Sequence, residues 1–250
     1  MPKLTLLTNP RLQLPTPVYG LPMTLVLSVL LLIVFLASQL IGVALFASWV
    51  FPNMADFTIT DKIQQGSHNG TLMAWAVVFT LVTVASFIAL MIRAKQASIG
   101  EYLAIKGFRW RQFLGFVGLL LLLNVAINGI TVWLEREPMA FMDELAKTAN
   151  PLWLLVLAMV VFAPIYEELM FRGFMWTGLA SSKLGVWGAS ILTSLVFAMI
   201  HGQYGAVELG AIVVLAMLFS SARIVSGSLL LPIVLHIINN GLAMWQYLAG

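Results

Sequence analysis

The sequence predicts an all-α fold, a polytopic transmembrane helical bundle of about seven spans or eight, on three observations. Hydrophobic residues make up 61% of the 250 residues and charged ones only 9%. Several runs of about 20 residues carry hardly a charge, the length that a helix needs to cross a hydrocarbon core about 30 Å thick. The basic residues gather in short stretches between those runs, where they set topology.

The first 20 residues are polar and dotted with proline, and carry Lys3 and Arg11. The apolar run that follows, Leu21 to Val50, is too long for the 7–15-residue core of a cleaved signal and reads as an uncleaved first span. A polar loop from Phe51 to Gly70 leads to a second span over about Thr71 to Ile92. Next comes the most basic loop, Arg93 to Arg111, with five basic residues against Glu101. Its centre, Ser98 to Ile105, fits a short surface helix. The third span, about Phe113 to Trp133, carries Asn124 and Asn128 four residues apart, a spacing suited to bridging neighbouring helices. The stretch from Glu135 to Asn150 is acidic, with Glu137 among its carboxylates, and fits a short amphipathic helix outside the hydrocarbon.

A fourth helix starts near Pro151 and runs to about Leu179. Pro164 lacks an amide proton, so it should kink this helix or free the carbonyl of Val160. The fifth runs over about Val186 to His201, the sixth from about Ala206 to Ala222 and the seventh from Ser228 to Leu248. The chain thus reads as one integral membrane domain: residues 1–149 supply three spans with surface loops, and residues 150–250 supply helices four to seven.

Charge excludes some functions and orients the chain. A net charge of +3 in interspan loops does not imply a nucleic-acid partner. With no cysteine there is no disulfide framework, thiolate metal site or cysteine nucleophile. With a cytoplasmic N-terminus, nine basic residues fall inside (Arg223 included) and three outside (Lys62, Arg136, Lys147). All eight tryptophans fall near span ends or their flanks, as interfacial anchors should. No internal repeat of the transporter kind is visible.

Against this background, Glu167-Glu168 with Arg172 stands out. Three charges in six residues of an apolar helix each cost about 3 kcal/mol or more in a bilayer. Glu168 and Arg172 are four apart and share a helix face, so they can form a buried pair. Glu167 points about 100° away and is left free to act as a general base. Glu167 precedes the turn at Lys183 by sixteen residues and His201 follows it by eighteen, so their depths agree within about 3 Å. His236 and Asn240 share one face of the seventh helix and can point into the same cavity. The bland alternatives are a structural Glu-Arg clasp, interfacial histidines, and a Phe197 that only packs.

Glu-Glu-x-x-x-Arg (167–172), Phe-x-x-x-His (197–201) and His-x-x-x-Asn (236–240), in that order, resemble the motif set of the CAAX-processing and bacteriocin-processing (Abi) family of intramembrane proteases, over about Ala163 to Asn240. The resemblance implies hydrolysis of a peptide bond inside the membrane, with a peptide or protein substrate and the lipid bilayer as partners. Glu167 with His201 would activate a water, His236 and Asn240 would stabilise the oxyanion, and Glu168 and Arg172 would support the site. No cofactor is required on that reading. Glu167, His201 and His236 also make a zinc ligand set, the alternative with Glu168 as base. A bacterial cytoplasmic (inner) membrane is expected. Competing functions are a non-proteolytic immunity or scaffold factor using the same cavity and, third, a proton-coupled transporter.

Overall fold

The computed structural model describes residues 17–136 and 140–249. Lys3 and Arg11 of the basic tail, and Glu137 of the acidic stretch, lie outside them. Ten helices follow in order: α1 (Leu21–Val50), α2 (Ile59–Gly66), α3 (Gly70–Arg93), α4 (Ile99–Tyr102), α5 (Trp110–Trp133), α6 (Ala140–Thr148), α7 (Leu152–Ala180), α8 (Gly185–Met199), α9 (Ala206–Ser226) and α10 (Leu230–Ala249). No strand occurs among the described residues.

Five of these helices, α1, α3, α5, α7 and α9, are long and apolar enough to cross a membrane. The protein is therefore an integral membrane protein. The expected seven spans are matched by these five, and the other two differ for distinct reasons. Helix α8 has 15 residues, about 22 Å of rise, short of a full hydrocarbon core. Helix α10 has 20 residues, enough to span, but His236, Asn239, Asn240 and Gln246 dilute its apolar character.

Two of the short helices sit in the stretches expected to form them. Ser98 caps α4 through Glu101 N–H (3.4 Å), inside the basic loop, and α6 occupies the acidic stretch. Helix α2 lies in the stretch expected to be a polar loop; Thr58 caps it by accepting from Asp61 N–H (3.2 Å).

Packing places α7 at the centre. Helices α1 and α3 approach closely: a Cβ on Gly42 would sit 2.9 Å from Ala76 Cα, the small-residue contact that lets membrane helices pack. Ser38 Oγ–H reinforces it by donating to Thr80 Oγ1 (3.1 Å). Behind this pair, Phe171, Phe174 and Met170 of α7 are fully buried. Helix α5 lies at the edge, with Leu120 its only fully buried hydrophobic residue among those described, and shows aliphatic side chains where lipid would be.

Two π turns, Ala158–Phe162 and Leu169–Met175, interrupt α7 on either side of the glutamates. In the first, Ala163 N–H bonds Ala158 five residues back, and Pro164 has no N–H to offer. Met159's carbonyl is thereby left without a donor four or five residues on, and Asn240 Nδ2 donates to it (3.1 Å). The externally filled carbonyl is thus Met159's, one residue before the expected Val160, because the wider turn shifts the ladder. In the second, Trp176 N–H goes to Phe171, and Arg223 Nε donates to the bypassed Arg172 carbonyl (3.4 Å). π turns of this kind gather at functional sites.

Arg223 corrects an expectation. It is not a loop charge: it is buried at 2% exposure, with its guanidinium 5.0 Å over the Trp176 ring. Trp176 is likewise no interfacial anchor. It is buried, and its Nε1–H donates to Ser190 Oγ (2.9 Å).

Candidate active site

The first turn after Pro164 delivers Glu167 and Glu168 into the interior. Glu168 and Arg172 are completely buried and joined at 3.0 Å, Arg172 Nη1 donating to Glu168 Oε1. Arg172 Nη2 donates to the Ala216 carbonyl of α9 (2.9 Å). Its guanidinium also lies 4.8 Å above the Phe197 ring, a cation–π contact strengthened by the absence of competing solvent. Burial of this pair is offset by an ion pair, a backbone acceptor and an aromatic face together, as a charge inside hydrocarbon requires.

His236 joins the two glutamates. Its Nδ1–H donates to Glu168 Oε1 (2.9 Å), and its Nε2 lies 3.6 Å from Glu167 Oε2. The second distance is too long for a hydrogen bond and marks an electrostatic contact. Phe219 stacks on the imidazole (4.8 Å between centroids), which fixes the ring plane. The partner within reach of Glu167 is therefore His236, whereas depth matching alone had pointed at His201.

His201 sits just past the end of α8. Its Nδ1–H donates to the Phe197 carbonyl (2.7 Å), which leaves Nε2 free. Phe197 is the aromatic hub of the site. Its ring touches Arg172, and its centroid lies 4.7 Å from that of His201 and 5.8 Å from that of His236. Tyr204, in the turn after His201, stacks on the same imidazole (6.2 Å). Burial first and Glu167 second push its phenol up to about 12, so it remains an O–H donor at any working pH.

Asn240 ends a relay of amides. Asn124 of α5 donates to Asn239 (3.1 Å), Asn239 to Asn240 (3.4 Å), and Asn240 to Met159 O (3.1 Å). Asn124 thus bridges two helices as its position suggested. One Nδ2 proton of Asn240 is committed to α7, and the second is free to donate elsewhere.

Glu167, His201, His236 and Asn240 all line one cavity of about 1230 Å³. Its walls are largely apolar, with Gln39, Tyr166 and Tyr204 among the polar exceptions. Sequence reasoning missed Tyr166, Tyr204 and Phe219, and left Phe197 out of the site. Only Phe197 carried a signal, its place four residues before His201.

The donor types Glu167, His201 and His236 suit zinc, but their arrangement does not. Only Nδ1 of each histidine is engaged, which by itself would suit a metal ligand, but no group of three His, Asp or Glu side chains among the described residues is placed closely enough to hold a metal ion.

Residues 149–242 match the family model of the type II CAAX prenyl endopeptidases, Rce1-like, a segment that contains all three motifs. The chain belongs to the CAAX-processing and bacteriocin-processing family. Two relatives carry the likeness in bacteria. An uncharacterized 24.3 kDa protein of Escherichia coli is 35% identical over 117 residues, covering 45% of this chain and 53% of the relative. UPF0177 protein YbdI of Lactococcus lactis is 32% identical over 133 residues, covering 48% and 68%. The chain thus spans about half the length of the first and two thirds of the second. No solved structure matches it significantly.

Proposed function

We propose that this protein is an intramembrane endopeptidase of the bacterial cytoplasmic membrane in which Glu167 activates the attacking water. The observation that carries this reading is the split between the carboxylates: Arg172 neutralises Glu168, whereas Glu167 faces a large cavity beside a histidine. A carboxylate so placed takes a proton from water as the oxygen adds to the peptide carbonyl carbon. The resulting oxyanion is met by the free N–H of Asn240 and by Nε2–H of His236 when both ring nitrogens carry protons. Transfer of the proton to the amide nitrogen then lets the C–N bond break. His201 Nε2 adds a second group able to hold the water, and Glu168 with Arg172 fixes His236.

No step is routed through zinc, because no three of the described His, Asp or Glu side chains converge closely enough to hold one ion. Purified protein that loses activity in a chelator and regains it with Zn²⁺ would replace this mechanism. The peptidase reading is tested by comparative membrane peptidomics of wild type and Glu167→Ala, with both proteins at equal levels. Accumulation of an uncleaved polypeptide in the variant supports it, and identical peptidomes contradict it.

The volume of the cavity also suits a non-proteolytic immunity or scaffold factor that binds a peptide there. That reading requires the cellular phenotype to survive Glu167→Gln and His201→Ala.

A further inference from the structure

The cavity lies toward one end of the bundle. Its lining stops at Glu167 on α7 and Phe219 on α9, and starts at His236 on α10 and Leu123 on α5. Beyond these residues the helices close. Tyr102 Oη–H donates to the Phe174 carbonyl (3.4 Å), Leu229 N–H to Ala104 O (3.0 Å), and Ser228 Oγ–H to Lys106 O. Gln112 Nε2 donates to Val225 O (3.0 Å), tying α5 to α9 there.

The open end is built differently. His68 and Glu144 meet at 2.8 Å, Arg136 pairs with Glu208 at 3.0 Å, and Tyr247 Oη–H donates to Asp143 (3.0 Å). Phe141 of α6 packs edge-on against Tyr204. These contacts seat α6 on the rim, and His68, Glu144, Glu208 and Tyr247 line the cavity itself.

Charge separates the two ends. Among the described residues, the closed end carries Arg93, Lys95, Lys106, Arg109, Arg111 and Lys183 against Glu101. The open end carries Asp56, Asp61, Glu135, Asp143, Glu144 and Glu208 against Lys62, Arg136 and Lys147. Lys and Arg set orientation, and six of them at the closed end against three at the open end put the closed end in the cytoplasm.

We propose that the catalytic cavity opens on the extracytoplasmic face, and that its occupant is an exported polypeptide with an apolar segment flanked by basic residues. The apolar walls take the segment, and the acidic rim attracts the flank. The identity of the occupant rests on the peptidase reading. The side on which the cavity opens does not.

The cysteine-free chain suits single-cysteine labelling in spheroplasts with a membrane-impermeant maleimide. Gly100→Cys probes the closed end, where an added Cβ meets nothing within 4 Å. Lys147→Cys probes the rim, and Val207→Cys the cavity wall. Lys147→Cys and Val207→Cys should react at least tenfold faster than Gly100→Cys until the membrane is permeabilised. The reverse pattern would overturn the orientation.

A second arm adds a synthetic leucine-rich peptide flanked by lysines from outside, with a glutamate-flanked counterpart as control. The lysine-flanked peptide should slow Val207→Cys labelling at least fivefold and the counterpart should not. Equal protection by both, or none by either, would overturn the proposed occupant. Both arms are run in the Glu167→Gln background, so their outcome is independent of cleavage.

Discussion

His236 Nδ1 lies 2.9 Å from Glu168 Oε1, the same oxygen that accepts from Arg172 Nη1 at 3.0 Å. One carboxylate oxygen therefore orients both the histidine at the cavity wall and the guanidinium behind it. Removing one member of a buried pair costs about 3–5 kcal/mol. Glu168→Gln should lower stability by about that amount, read by thermal unfolding in detergent. Arg172→Met in the same background should recover a good part of the loss. Strictly additive losses would show that the two residues are not coupled.

Phe197 should matter beyond its volume. Its ring face holds Arg172 and borders both histidines. A desolvated cation–π contact is worth about 2 kcal/mol, so Phe197→Leu should destabilise by roughly 2–3 kcal/mol with the lost aromatic packing included. A change under 0.5 kcal/mol on the same unfolding scale would reduce Phe197 to an ordinary packing residue.

The amide relay gives a graded series. Asn124→Leu breaks one interhelical bond and should cost about 0.6–1.7 kcal/mol. Asn240→Ala strands the carbonyl of Met159 as well and should cost about 1–3 kcal/mol. Denaturation of the two variants in one detergent checks the order. Equal stability of Asn240→Ala and wild type would mean that the π turn does not need this side chain.

The rim pair between Arg136 and Glu208 is exposed on one side, so its contribution is small and salt-sensitive. Arg136→Gln should leave the unfolding temperature nearly unchanged, and any difference should shrink further as salt rises. A clear drop in unfolding temperature that salt does not reduce would assign this rim pair a larger part in holding the fold.

Much of this molecule could be read from residue types and spacing. The runs at α1, α3, α5, α7 and α9 are apolar enough to declare themselves, and Glu168 and Arg172, four apart, predicted their own pair. The rest depended on neighbours that no local pattern encodes. Arg223 read as a loop charge because it lies near a helix end, yet Trp176 and a π-turn carbonyl bury it. Tyr204 and Phe219 reach the histidines from other helices through stacking, which leaves no periodic trace. His236 approaches Glu167 because α10 packs against the turn of α7 that carries the glutamates, a helix–helix placement that depth counting along the α7–α8 hairpin cannot register.

The central claim is the division of labour between adjacent carboxylates, and it is tested most directly by single-turnover cleavage with Glu167→Gln and Glu168→Gln side by side, on the polypeptide that accumulates without Glu167. Loss of Glu167 as base should slow cleavage by at least about 100-fold with the unfolding temperature unchanged. Glu168→Gln should lower the unfolding temperature and leave measurable cleavage. The opposite assignment, with Glu167→Gln active and a stable Glu168→Gln inert, would contradict the account.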